Sequence, residues 1–152
     1  MMRSVRPPLV TLTVLLALAA AGCGGGGGGS GPLSKQEFVE QADAVCEKYA
    51  DKISAIPAAR SGGELPLYVE RVLPLLRQEL GELQALKPPT KDRRTVNRML
   101  GEFATGMKAA ARFRKLAKSK KGQVELRKGL EAGKRSRKIA RSYGLEVCAS
   151  TL

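Results

Sequence analysis

Apolar residues recur along this chain at steps of three and four, in separate blocks divided by prolines and glycines. Phe38, Ala42, Val45, Tyr49, Ile53 and Ile56 form the first series. At about 100° per residue they fall on one stripe, which predicts an amphipathic helix. Ser34, Lys35, Gln36 and Glu37 form a capping box at its start, with Ser34 as the N-cap. Pro57 and the turn formers Ser61, Gly62 and Gly63 end it. A second helix is predicted over residues 64–86, with Val69, Val72, Leu73, Leu76, Leu80 and Leu83 on its apolar face. Pro74 falls on the opposite side, where it kinks or restarts the helix and does not abolish it. Pro88 and Pro89 terminate the element.

Thr90 is placed to cap a third helix that turns Val96, Met99, Leu100, Phe103, Met107, Ala110 and Ala111 inward. Past Ala111 the pattern drifts, with Arg114 on the stripe and Leu116 off it, so the helix ends near Lys118. Residues 119–122 read as a polar connecting loop. A fourth, less regular helix is predicted over residues 123–143. Ala132, Ile139, Ala140 and Tyr143 share a face, and Leu126 and Leu130 lie at its edge. Gly144 suits the left-handed residue after the helix, and residues 145–148 then fold back. With no alternating strand pattern and no repeat, the fold is all-α: a small antiparallel bundle of about four helices.

The first thirty-odd residues follow another logic. Arg3 and Arg6 precede Leu9 to Ala21, an apolar or small stretch broken only by Thr11 and Thr13. A positive start, a short apolar core and small residues before a cut site make a secretory signal. The stretch is too short to span a bilayer, which takes about 20 apolar residues. It ends in Leu18, Ala19, Ala20, Ala21, Gly22 and Cys23, which resembles the lipobox of bacterial lipoproteins, although Ala20 stands where leucine is usual. The resemblance implies that Cys23 carries a diacylglycerol and that the chain is cut just before it. Residues 1–22 are then the signal, 23–33 a lipidated cysteine with its tether, and 34–152 the domain. Gly24 to Gly29 have no side chain to bury, so this coil spans roughly 15–18 Å on average. The resemblance places the protein on the extracytoplasmic face of the cell membrane, with two or more acyl chains for stable anchoring.

Once Cys23 is assigned to lipid, Cys46 and Cys148 remain, in a compartment where disulfides persist. A bond between them closes a loop of about 100 residues; the alternative is two separate buried thiols. A glycine tether, a helix bearing one cysteine, and the ending Gly144, Leu145, Glu146, Val147, Cys148 are together similar to small helical bacterial lipoproteins of unknown function.

Charge is distributed unevenly. Residues 34–87 hold 7 basic and 9 acidic side chains, whereas residues 88–152 hold 18 basic and 5 acidic. Arg127, Lys134, Lys138 and Arg141 line one side of the fourth helix. Lys91, Arg94, Arg98, Lys108 and Arg112 do so on the third. Two readings stay open: a solvated face that keeps the domain soluble, or a contact surface for anionic lipids, envelope polymers or an acidic protein. Export and the shortage of stacking aromatics argue against nucleic acid. Glu40, Asp43, Glu47 and Asp51 stand opposite the apolar stripe of the first helix and read as a hydrated surface stripe, not a calcium or acid–base site.

The chain has no histidine, which leaves zinc with too few good ligands and a serine nucleophile without its commonest base. No phosphate-cradling glycine loop follows a strand. No catalytic residue, metal or cofactor is therefore assigned. The expectation is a non-catalytic binding domain, anchored in the membrane, that meets anionic envelope components through its basic face. The alternative is a ligand-binding or sensor domain with a pocket between helices, near Tyr49 and Tyr143.

Overall fold

The computed structural model describes residues 31–152. The lipobox and Cys23 lie outside the described residues. Four long helices and one short one follow in order: α1 (Lys35–Ser54), α2 (Leu65–Ala85), α3 (Arg93–Leu116), α4 (Lys120–Tyr143) and α5 (Cys148–Thr151). There is no strand among the described residues.

The start of α1 is set by the capping box. Glu37 N–H donates to Ser34 Oγ at 3.2 Å, and Ser34 N–H donates to Glu37 Oε2 at 2.9 Å. Leu33 belongs to the folded body and not to the tether, since its N–H donates to the Lys87 carbonyl at 2.9 Å and its side chain packs on the core. Pro74 is exposed and α2 runs through it as one helix, so it neither ends nor restarts the element. Thr90 does not cap α3. It opens a 3₁₀ turn (Thr90–Asp92), and the helix begins at Arg93 without a side-chain cap.

The expected loop over residues 119–122 is mostly helix. Ser119 is the N-cap of α4, its Oγ accepting from Gly122 N–H at 3.1 Å. A Cβ at Gly122 would stand 2.1 Å from the Leu116 carbonyl oxygen, so only glycine lets the chain reverse so tightly. The resulting α3–α4 hairpin is packed through small residues. Gly106 and Gly129 face each other so closely that a Cβ on either would meet the other's carbonyl at 3.4 Å, and Ala109 and Ala132 are buried beside them. Ser136, fully buried in this seam, donates to the Met99 carbonyl at 3.0 Å.

Each helix packs on the next in sequence, and the circuit from α4 back to α1 is closed by residues 145–152. The backbones of α2 and α4 stay apart, with α3 between them. Gly144, at φ 103°, turns the chain out of α4 in the left-handed conformation that glycine adopts without strain. Leu145, Cys148 and Leu152 then drop into a core that includes Phe38, Cys46, Leu83 and Met99. Cys46 and Cys148 are joined, Cα–Cα 5.2 Å.

Candidate functional site

The basic side chains are exposed apart from those of Arg114 and Arg137, which are half-buried. Arg127, Lys134, Lys138 and Arg141 share one strip of α4, on the side turned away from α3. Lys134 is engaged with Glu131 at 2.9 Å, whereas Arg127, Lys138 and Arg141 form no ion pair among the described residues. On α3 and the turn before it, Lys91, Arg94, Arg98 and Lys108 are likewise unpaired among the described residues, and Arg112 reaches Glu125 at 3.7 Å. Measured against the α3–α4 contact, the α3 strip points out roughly at right angles and not along the α4 strip. The cations therefore wrap around the hairpin and do not form one flat face.

The acidic stripe of α1 is only partly hydrated surface. Glu40, Glu47 and Asp51 are exposed, but Asp43 is half-buried. Its Oδ2 accepts from Glu146 N–H at 2.9 Å and its Oδ1 from Cys148 N–H at 3.0 Å. α5 has no cap of its own, so Asp43 supplies one from across the bundle. Asp43→Ala leaves two amides without this acceptor and is expected to cost about 2 kcal/mol, as bonds to charged groups do, read as a lowered urea midpoint with unchanged slope.

Both tyrosines singled out by the sequence have occupied hydroxyls. Tyr49 donates to Glu82 Oε1 at 2.6 Å, and Lys48 grips the same carboxylate at 2.6 and 2.7 Å. This hydrogen bond pushes the Tyr49 hydroxyl up to about 12, and its donors hold Glu82 below the usual carboxylate range. Tyr143 meets Phe38 edge to face at 5.9 Å and donates to Asp92 Oδ2 at 2.9 Å. Burial first, and then that bond, lift its hydroxyl to about 12. Both residues act as clamps between elements, and neither lines the clefts that follow.

The groove that does open between the helices lies elsewhere. It is a cleft of about 250 Å³ over α3, walled by α2 and α4, with Leu65 and Leu76 at its ends along α2, Phe103 and Phe113 along α3, and Leu126 and Leu130 on α4. None of its lining comes from α1, and the only side-chain oxygen or nitrogen in it is the Tyr68 hydroxyl. A larger depression of about 750 Å³ lies by the α3–α4 turn, where Lys115 and Lys118 border Leu67 and Leu116.

Compared with known proteins, the chain matches no family model, no curated protein and no solved structure. Function therefore has to rest on the residues themselves. Among the described residues, no three His, Cys, Asp or Glu side chains are grouped so as to hold a metal ion, and no helix is long and apolar enough to cross a membrane. Two features of the surface stand out from ordinary packing: the unpaired cations of the hairpin and the apolar cleft beside them.

Proposed function

We propose that the chain is an extracytoplasmic domain, held to the membrane by lipid on Cys23, that binds and does not catalyse, and that it meets anionic envelope components through the cations of α3 and α4. The observation that carries this reading is the set of exposed cations with no acidic partner among the described residues, Arg127, Lys138 and Arg141 foremost. Charges that served only solubility would do as well interspersed with acids, whereas residues 88–152 hold 18 basic and 5 acidic side chains.

Co-sedimentation with anionic and neutral vesicles tests it. Binding to anionic vesicles is expected at low salt and is lost at high salt. Reversal of Arg127, Lys138 and Arg141 to glutamate should weaken it by about fivefold or more per site, since a cation near an anionic surface is worth about 1 kcal/mol. Equal binding to neutral vesicles, or none to either kind, would refute the reading. For the anchor, Cys23→Ala should abolish acyl labelling and release the protein from the membrane fraction.

The apolar cleft favours a second reading, a domain that takes a small ligand between its helices.

A further inference from the structure

The large apolar side chains left exposed among the described residues are Leu67, Leu116, Val124 and Leu130, at 52%, 39%, 38% and 58%. Leu67, Leu116 and Val124 lie where the start of α2 meets the α3–α4 turn, and Leu130 lies further along α4, where it lines the cleft. Its lining runs over residues 65–76 of α2 and back over 113–103 of α3, which at 1.5 Å per residue makes a slot about 16 Å long. It lies where the backbones of α2 and α4 make no contact, and Gly133 adds no side chain to its lining.

Cations border this slot. Arg137 donates from Nη1 to the carbonyl of Leu152, a lining residue, and a Cβ on Gly133, another, would stand 3.3 Å from that nitrogen. On α4, Leu126, Leu130, Gly133 and Arg137 form one row, and Arg127, Lys134 and Arg141 form the next row outward. An elongated, nearly wholly apolar slot with cations along one lip complements a molecule of matching design, with a long hydrocarbon tail and an anionic head. A second copy of this chain fits poorly, because it would bring the same cations against these.

We propose that the cleft holds one acyl chain of an anionic lipid, the tail between α2 and α4 and the head group at the Arg137 end, against Arg137 and the unpaired Arg141 one turn on. This rests on the second reading above, that the domain takes a ligand between its helices, and it names the ligand's class.

The test uses the oxidised chain from residue 24 onward, which contains every described residue. Dodecyl phosphate, kept below its micelle concentration, is titrated calorimetrically, with dodecyl maltoside as the same tail on a neutral head and inorganic phosphate as a head without a tail. One-to-one binding of dodecyl phosphate with a negative heat-capacity change is expected. It should be at least about tenfold tighter than dodecyl maltoside, as two cations worth roughly fivefold each would give. Ala110→Leu, which fills the slot from its half-buried floor, should weaken binding about tenfold or more, the scale on which an apolar site rejects an extra methylene. Leu130→Asp, at an exposed lip position where folding is not at stake, should also weaken it.

If neither amphiphile binds one to one, the ligand-pocket reading itself fails. If dodecyl maltoside binds as tightly as dodecyl phosphate, that reading stands and the anionic-lipid assignment falls. Binding unchanged in both variants, inorganic phosphate binding as well as dodecyl phosphate, or a dimer that Leu130→Asp dissociates would each overturn the proposal. Salt-sensitive adsorption to vesicles by the outer cations is read independently and can survive any of these results.

Discussion

Replacing Cys46 and Cys148 together by alanine is expected to cost about 4 kcal/mol, the largest effect of any substitution considered for this fold. The two cysteines stand 102 residues apart in sequence. A cross-link closing about 100 residues removes enough freedom from the unfolded chain to be worth about 4.7 kcal/mol in the entropic model, and native bonds of this kind usually deliver 2–5. Domains of this size have only about 5–15 kcal/mol of stability in all. Both sulfurs are also fully buried, so alanine leaves a space that the core closes incompletely. Guanidinium unfolding with and without reductant measures the effect directly. The parent's midpoint should fall on reduction to near that of the double variant, and a midpoint indifferent to reductant would show that the bond contributes nothing.

The second large effect concerns Glu79, on the α1-facing side of α2 with Val72 and Leu83. It is 2% exposed, and its Oε1 has no hydrogen-bond partner. Burial lifts its carboxyl to about 7, and the Tyr49–Glu82–Lys48 cluster beside it supplies no compensating bond. A folded-state value above the unfolded one means that stability is fully present below about pH 4.5 and is lost as pH rises through about 7. The loss levels off near 3 kcal/mol, at 1.36 kcal/mol per unit. Glu79→Met removes the titrating group while keeping its volume. The variant should match the parent near pH 4 and exceed it by about 2–3 kcal/mol at pH 8, by urea unfolding at each pH. Glu82, held low by Lys48 and Tyr49, acts in the opposite sense, losing its contribution as pH falls through its depressed value. Because the parent and the variant share it, their difference isolates Glu79. An equal difference at both pH values would mean that Glu79 does not titrate on folding.

What the sequence made legible was whatever is local. The Ser34–Glu37 box, the apolar stripe of α1 and the left-handed Gly144 each depend on a few neighbouring residues, and each is present. Helix four was harder to read because Gly122, Gly129 and Gly133 dilute its apolar periodicity. The value of Gly122 and Gly129 lies in the backbone approach they permit, which a count of hydrophobic positions cannot register. Ser136 and Glu79 are polar residues at inward positions and vanish into the same blind spot. Asp43 carries the spacing of a solvent-facing stripe, yet its partners are amides 103 and 105 residues away. Thr90 had the right chemistry for a cap, but the prolines before it favoured a 3₁₀ turn. The cleft was wholly out of reach, since it arises from helices that fail to touch and no periodicity encodes a gap.

The three-residue reversal at 117–119 also bears on the order in which the molecule assembles. α3 and α4 are neighbours in sequence as well as in space, so their seam closes only a short loop and can form early, with little entropy lost beforehand. The docking of residues 145–152 on α1 joins segments about a hundred positions apart, and its entropic cost falls late. By loop-closure entropy alone, the α3–α4 hairpin is expected to form before the docking of residues 145–152 on α1. Until residues 145–152 dock, α1 stays unlatched, because Cys46 gains its cross-link only when Cys148, 102 positions further on, comes within reach.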